Sequence, residues 1–214
     1  MHVLITGANR GIGAGLAAHY EARGETVTAT ARSSEAETWL DVTVPDSLAA
    51  FAAQFESGSI DLLICNAGVY LDRTETLDAG FPVQAWAETF ATNVTGVFLT
   101  VQALLPALRR AGGAKIAVIS SQMGSHARAK GNSFIYRASK AAVSNLGCNL
   151  AIALQRDGIA VGTYHPGWVR TDMGGAAADV SVEEAVVGLA RRFDALGMQT
   201  TGCFEAFDGT PIPY

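Results

Sequence analysis

Short strand-like runs and longer helix-like segments alternate along almost the whole chain. Runs that are apolar or β-branched predict seven strands, at Val3–Thr6, Thr26–Thr30, Trp39–Val42, Ile60–Cys65, Lys115–Ser120, Ile159–Tyr164 and Gly202–Phe207. The segments between them predict helices at residues 11–23, Pro45–Phe55, Ala85–Arg110, Phe134–Gln155 and near Val182–Leu196. This alternation predicts a Rossmann-type, doubly wound α/β fold, with a seven-stranded, mostly parallel sheet and helices on both faces.

The composition argues against several classes of protein. The 214 residues contain no linker, repeat or low-complexity tract, so we predict one domain over residues 1–214. The net charge of −5 argues against a nucleic-acid partner. No uninterrupted apolar run reaches the ~18 residues of a membrane span, so we expect no membrane partner.

The start of the chain and its cysteines bear on its location. A strand-like run begins almost at once, so we expect no signal peptide. Cys65, Cys148 and Cys203 are widely spaced and odd in number, which is typical of free thiols in a cytoplasmic protein. Neither CxxC nor HExxH spacing occurs, so we expect no metal site.

A glycine-rich turn, Thr6-Gly-Ala-Asn-Arg-Gly-Ile-Gly13, follows the first predicted strand. Its glycines allow a tight turn and a close approach of backbone N–H groups to a pyrophosphate, and the next helix presents its positive end to the same anion. The turn therefore predicts a dinucleotide site, with a simple turn as the alternative. The candidate residues are Gly7, Asn9, Arg10, Gly11, Ile12 and Gly13.

The end of the second predicted strand bears on which dinucleotide binds. Enzymes that use NAD usually place an acid there, which binds the ribose 2′-OH. This strand instead ends Thr30-Ala31-Arg32, and no acid follows until Glu35. Guanidinium groups bind phosphate through paired hydrogen bonds, so Arg32, helped by Arg10, predicts NADP(H). The alternative is that both arginines are solvated surface charges.

Tyr136 and Lys140 are four residues apart on a predicted helix and therefore share a helix face. A free tyrosine has a pKa of about 10, and a nearby ammonium would lower it by favouring the phenolate. The pair would then act as a general acid in one direction and a general base in the other. Ser121 follows a strand, at the sheet edge where ligands bind in such folds. The alternatives are an exposed Tyr-x-x-x-Lys pair and a capping serine.

Together these motifs resemble the short-chain dehydrogenase/reductase family. They occur in the family's order: the glycine turn, Asn66-Ala-Gly68, Asn93-Val-Thr-Gly96, Ile119-Ser-Ser121, Tyr136-x-x-x-Lys140 and Pro166-Gly167. The likeness runs from Val3 to Asp208-Gly209, and residues 136–140 and 165–174 resemble the C-factor-like carbonyl reductases. The resemblance implies an NADPH-dependent carbonyl reductase or alcohol dehydrogenase with a small-molecule carbonyl substrate.

The resemblance also implies a role for each matching position. Tyr136 would donate and accept the proton, Lys140 would lower its pKa and bind the nicotinamide ribose, and Ser121 would orient the carbonyl. Asn93 would hold a water that links Lys140 to solvent. The other implied cofactor contacts are Asp41 and Val42 at the adenine, Asn66, Ala67 and Gly68 along the cofactor, Pro166, Gly167 and Val169 beside the nicotinamide, and Thr171 at its phosphate or amide.

Two alternatives stay open within this interpretation. Ser121 lies 15 residues before Tyr136, slightly more than is common in the family, so Ser120 and Ser125 are alternative orienting serines. The complete set of Asn93, Ser121, Tyr136 and Lys140 favours an enzyme. The competing function is a non-catalytic NADP(H)-binding protein that senses redox state or signals to a partner.

The two long predicted helices, Ala85–Arg110 and Phe134–Gln155, carry apolar residues on more than one face. These residues include Val97, Leu99, Val101, Leu104, Val143 and Leu146. The sheet covers only one side of each helix, so we predict that a second chain covers another, in a homodimer or homotetramer. The alternative is that neighbouring helices of the same chain cover it.

Overall fold

The computed structural model describes residues 1–33, 36 and 38–214. Within them the strands are β1 (His2–Thr6), β2 (Thr26–Ala31), β3 (Thr38–Trp39), β4 (Leu62–Cys65), β5 (Lys115–Ile119), β6 (Ala160–His165) and β7 (Phe204–Ala206). The α-helices are α1 (Gly11–Ala22), α2 (Pro45–Ala53), α3 (Val83–Phe90), α4 (Gly96–Arg110), α5 (Phe134–Ala153) and α6 (Val182–Ala195). The strands pair in parallel in the order β3-β2-β1-β4-β5-β6-β7. The predicted Rossmann-type fold is confirmed.

Two apolar layers, one on each face of the sheet, form the core. Leu4 and Leu63 face the layer made with α2, α4 and α5, whereas Val3 and Leu62 face the layer made with α1 and α6. Every residue of β4 and of β6 is buried. Because helices cover both faces, β4 is a continuous apolar run, and β6 is buried along its whole length although it includes Thr163 and His165.

Some strand boundaries differ from the predictions, both at the sheet edge and in its centre. β3 ends at Trp39 and does not reach Val42. The N–H of Leu40 still bonds to the Ala31 carbonyl at 2.9 Å, but the chain then turns toward α2. Similarly, β4 begins at Leu62, because the N–H of Ile60 bonds to the Ala107 carbonyl in α4 at 3.3 Å and not to a strand.

The helix predicted over Ala85–Arg110 is interrupted. α3 ends at Phe90, a π-helical segment spans Ala91–Thr95, and α4 follows directly. Such segments occur frequently at functional sites, and Asn93 lies at the centre of this one. The stretch Val83–Arg110 is long and apolar enough to cross a membrane, but half of its most apolar window is buried, as in the core helix of a globular fold.

The direction in which successive strands are added to the sheet reverses at β1. The chain passes from β1 outward to β2 and β3 on one side, then returns to β4 on the other side of β1. The connections therefore diverge beyond the carboxyl ends of β1 and β4, where open α/β sheets form a ligand-binding crevice. The glycine turn follows β1 and Asn66–Gly68 follows β4, so the fold brings these two motifs together.

Candidate active site

The glycine turn packs closely against the loop after β4. Gly7 has a φ of 68°, a left-handed conformation that favours glycine, and a Cβ there would lie 2.7 Å from the Cα of Ala67. A Cβ at Gly13 would lie 2.4 Å from the carbonyl oxygen of Gly7. Larger residues at either position would displace backbone, so the turn keeps its shape only with glycine.

Asn66 braces this turn from the end of β4. Its side-chain amide donates to the carbonyls of Thr6 and Gly7, at 3.0 and 2.8 Å. In return, the Thr6 hydroxyl accepts from the N–H groups of Asn66 and Ala67, at 3.1 and 3.2 Å. The threonine and asparagine of the two motifs therefore fix the two loops that bound the crevice.

A cleft of about 700 Å³ runs along the carboxyl edge of the sheet at this crevice. Most of the predicted cofactor-binding residues line it: Gly7, Asn9, Arg10, Gly11, Ile12, Gly13, Arg32, Asp41, Val42, Asn66, Ala67, Gly68, Tyr136, Lys140, Pro166 and Thr171. Sequence reasoning missed several other lining residues, among them Leu40, Thr43, Val69, Thr92, Arg170 and Met173. None of them is assigned a role from the sequence, although Arg170 and Met173 lie in the stretch 165–174 and Thr92 precedes Asn93.

Two predicted contacts beside the nicotinamide lie away from the cleft lining. Val169 is buried and forms an isolated bridge with Val180. Gly167 has a φ of 91°, and a Cβ there would lie 3.1 Å from the side chains of both Phe207 and Val180. These residues therefore shape the wall behind Pro166.

The charged residues predicted to contact the cofactor differ in their bonding partners. Arg32 is exposed, directly follows β2 and lines the cleft. Arg10 instead forms an exposed ion pair with Asp172, from the loop on the far side of the cleft. An oxygen of Asp41 accepts from the N–H and the hydroxyl of Thr43, at 2.8 and 2.7 Å. Glu35 lies outside the described residues.

Tyr136 and Lys140 lie one turn apart on α5, and both are buried at the floor of the cleft. The Lys140 Nζ lies 5.6 Å from the centre of the Tyr136 ring. It donates a 2.9 Å hydrogen bond to the carbonyl of Ile119, at the end of β5. Burial lowers the pKa of Lys140 to about 8, because the ammonium loses its hydration.

The structure does not give Tyr136 the lowered pKa that the sequence predicts. Burial raises the pKa of Tyr136 above its ordinary value, because the phenolate would lose its hydration. Tyr70 adds to this rise, whereas a hydrogen bond with Ser121 and the charge of Arg73 lower the pKa. Lys140 does not offset the burial, since its ammonium is disfavoured by the same dry surroundings and bonds to a backbone carbonyl.

The structure distinguishes the three candidate serines. Ser121 acts on Tyr136 through a hydrogen bond that lowers the pKa of the phenol. The Ser120 hydroxyl lies 2.8 Å from the Ser144 hydroxyl and donates to a carbonyl of α5, so it holds β5 against that helix. Ser125 is buried, and its hydroxyl has no partner among the described residues. Ser121 is thus the serine that lowers the pKa of Tyr136, whereas Ser120, and not Ser121, is among the residues that line the cleft.

Asn93 is buried beside Lys140. Its side chain donates to the carbonyl of Val69 at 2.9 Å and to the hydroxyl of Ser139 at 3.0 Å, and accepts from the N–H of Val69 at 2.8 Å. A Cβ at Gly68 would lie 3.4 Å from the Asn93 Oδ1 and 3.7 Å from the Lys140 Nζ. Asn93 thus joins the loop after β4 to α5, behind the cleft surface.

The loop after β4 also brings residues that sequence reasoning missed. Tyr70 stacks on Tyr136, and the Asp72 carboxylate accepts hydrogen bonds from the first turn of α5. The stacked tyrosines are 66 residues apart, and the hydrogen bonds of Asp72 join positions 63 and 64 residues apart, so no local pattern marks these contacts.

Comparisons with known proteins show the family to which the chain belongs. The family model for short chain dehydrogenases matches residues 1–180. A protein named C-signal, from Myxococcus xanthus, is 35% identical over 166 residues, which cover 77% of this chain and 99% of that protein. A 1-hydroxy-2-glutathionyl-2-methyl-3-butene dehydrogenase from Rhodococcus sp. is 33% identical over 225 residues, which cover 97% of each chain.

Solved structures share the fold over the whole chain. An NADPH-bound carbonyl reductase from chicken fatty liver matches with a TM-score of 0.90 and 32% identity, covering 100% of this chain and 98% of that one. The carbonyl reductase Sniffer of D. melanogaster matches with a TM-score of 0.92 and 27% identity, covering 100% and 99%.

Proposed function

Because the chain belongs to the short-chain dehydrogenase/reductase family, as its motifs predict, we propose that it is an NADP(H)-dependent oxidoreductase that interconverts a carbonyl compound and its alcohol. One observation carries the proposal: Tyr136 and Lys140 line the same cleft as the glycine turn. A proton donor and a dinucleotide cradle therefore share one cavity.

The cleft fits a dinucleotide. The N-terminus of α1 has no side-chain cap, so its first backbone N–H groups are available to an anion. The glycine turn lets those groups approach a pyrophosphate closely, and Arg32 stands at the end of β2 where a 2′-phosphate would lie. The bound cofactor supplies the hydride, and the chain supplies binding, orientation and the proton.

Tyr136 and Ser121 handle the substrate oxygen. Ser121 donates a hydrogen bond that orients the carbonyl, and Tyr136 gives its hydroxyl proton to that oxygen as negative charge develops on reduction. The raised pKa of Tyr136 keeps the phenol protonated at neutral pH, which suits a proton donor. In the oxidative direction Tyr136 must first lose its own proton before its oxygen can take the proton of the alcohol, and the raised pKa disfavours that step.

Lys140 supports Tyr136 in two ways, through the cofactor and through the proton. With a pKa of about 8, it is mainly an ammonium at neutral pH, but it loses its proton far more easily than an exposed lysine. It binds the nicotinamide ribose and returns a proton to Tyr136 after turnover. Asn93, buried beside Lys140 on the same side of Gly68, holds the water that links Lys140 to solvent.

The test supplies the purified chain with NADPH carrying deuterium at the transferring carbon, and with a panel of aldehydes and ketones. We expect NADPH absorbance to fall and deuterium to appear on the carbinol carbon of the product. Binding of NADPH without turnover of any carbonyl would instead favour the non-catalytic redox-sensing or signalling function.

We also propose a cytoplasmic location and a homodimer or homotetramer. All three cysteines are free thiols, which agrees with a reducing compartment. Phe98 on α4 and Ile152 on α5 are exposed apolar side chains on the two helices that the sequence predicts to pair.

A further inference from the structure

Asp72 is a fully buried carboxylate close to the proton donor. Its relative exposure is 0%, and its two oxygens accept hydrogen bonds from the N–H groups of Ile135 and Tyr136, at 2.7 and 3.2 Å. These N–H groups belong to the first turn of α5, where an anion is favoured by the helix dipole. A residue from the loop after β4 therefore caps the helix that carries Tyr136.

The serine that precedes α5 does not cap the helix with its side chain. Ser133 precedes the helix with a φ of 51°, a left-handed conformation that is uncommon for a serine, and its side chain makes no cap hydrogen bond. Its hydroxyl instead lies 2.5 Å from the hydroxyl of Tyr70. The loop after β4 thus holds the start of α5 at two points, through Asp72 and through Tyr70.

Tyr70 also contacts the proton donor directly. Its ring stacks on the ring of Tyr136, with centroids 4.3 Å apart and planes inclined by 25°. The guanidinium of Arg73 lies 5.1 Å from the centre of the Tyr70 ring. Backbone and ring of Tyr136 are therefore each held by the same short loop, from positions outside the predicted catalytic set.

We infer that Asp72 and Tyr70 are positioning residues that fix the place of the Tyr136 hydroxyl relative to the substrate and the cofactor. This inference rests on the proposed function, because it assigns the pair to proton transfer by Tyr136. Neither residue donates the proton: Asp72 acts through the backbone of α5, and Tyr70 acts through ring stacking and Ser133. Proton transfer depends steeply on this geometry, and a displacement of about 1 Å can cost on the order of 100-fold in rate.

The test compares variants that keep shape and remove single contacts. Asp72→Asn keeps the shape of the side chain but has one carbonyl oxygen and no charge. It can therefore accept well from only one of the two N–H groups, those of Ile135 and Tyr136. Tyr70→Phe keeps the stacked ring and removes the hydroxyl that holds Ser133, whereas Tyr70→Leu removes the stacking. Thr201→Val is the matched control, because its hydroxyl accepts from the N–H of Val161 at 3.0 Å, at the amino-terminal end of β6 and away from the cleft.

We expect kcat to fall about tenfold or more in Asp72→Asn and Tyr70→Leu, and less in Tyr70→Phe, while the Kd for NADPH changes less than about threefold. Thr201→Val should keep its kcat. Amide hydrogen exchange at Ile135 and Tyr136 should accelerate in Asp72→Asn and not in the control. If Asp72→Asn fails to fold, the two Tyr70 variants still test the inference, because kcat should fall in them while the Kd for NADPH changes little.

Wild-type kcat in Asp72→Asn and Tyr70→Leu would overturn the inference, as would an equal loss of kcat in Thr201→Val. Unchanged amide exchange at the start of α5 in Asp72→Asn would also overturn it. Failure of the proposed function has a different signature. In that case the wild-type chain itself reduces no carbonyl, while the exchange measurement still reports whether Asp72 holds the helix.

Discussion

The Lys140 ammonium donates a 2.9 Å hydrogen bond to the backbone carbonyl of Ile119, the last residue of β5. This contact ties the cation of the proposed active site to the carboxyl edge of the sheet. It is one favourable contact for a charge that is otherwise buried, and burial lowers the pKa of Lys140 from 10.5 to about 8. The residue that we propose for the proton relay is therefore costly to the stability of the fold.

We predict that Lys140→Met loses activity and changes the pH dependence of stability. Below about pH 8 both the folded and the unfolded chain carry the Lys140 proton, so the cost of the buried ammonium is complete, on the order of 3 kcal/mol. Between pH 8 and 10.5 the unfolded chain binds more protons than the folded chain. The free energy of unfolding of the wild-type chain therefore rises with increasing pH relative to that of the variant.

Urea unfolding of both proteins across this pH range measures the effect. We expect the two free energies of unfolding to diverge as the pH falls from 10.5 to 8 and to keep a constant offset below that. Parallel curves over the whole range would show that Lys140 is not desolvated in the folded chain.

Arg32 should govern the choice of cofactor. Arg32→Ala removes the guanidinium that stands at the end of β2, and a hydrogen-bonded contact to a charged group contributes enough for about a 10- to 100-fold loss of NADPH affinity. NADH affinity should change little, because NADH has no 2′-phosphate. Fluorescence titration with both cofactors measures the preference.

Arg23→Ala is the matched control, since Arg23 pairs with Asp194 and is not among the residues that line the cleft. Equal loss for the two cofactors in Arg32→Ala would place the Arg32 contact elsewhere on the dinucleotide. Equal affinity of the wild-type chain for NADPH and NADH would contradict the assignment of Arg32 as the selecting residue.

The fold follows closely from local sequence features. β4 is a continuous apolar run because both of its faces are buried, and Gly7 marks its turn because its backbone is left-handed. Such constraints act on neighbouring residues and leave a visible pattern. The glycine turn and the Tyr136-x-x-x-Lys140 spacing predict the cleft because they too are patterns among residues close together in the sequence.

The rest of the site depends on contacts between distant segments. Asp72 and Tyr136 are 64 residues apart, and nothing near either residue in the sequence indicates the pairing. The π-helical segment Ala91–Thr95 is equally hidden, because it lies inside the single helix predicted over Ala85–Arg110 and its five residues contain no proline or glycine to mark a break. The raised pKa of Tyr136 comes from burial, which a spacing rule does not measure.

We predict that the chain is a homo-oligomer in solution. Phe98 and Ile152 remain 42% and 73% exposed on α4 and α5, which is unfavourable for large apolar side chains unless a second chain covers them. Light scattering at micromolar concentration should give a multiple of 22.3 kDa. A single species at the mass of one chain would contradict the prediction, whereas Phe98→Glu with Ile152→Glu should produce that species.

The measurement that tests the central claim most directly is the turnover of Tyr136→Phe with saturating NADPH and a carbonyl substrate identified by the screen. The substitution removes one hydroxyl and keeps the ring that stacks on Tyr70, so the fold and the cofactor site should persist. Loss of a general acid costs about 100- to 10,000-fold, and we expect kcat to fall by at least the lower figure while the Kd for NADPH stays unchanged. A variant that reduces the substrate at the wild-type rate would contradict the account, because another group would then supply the proton.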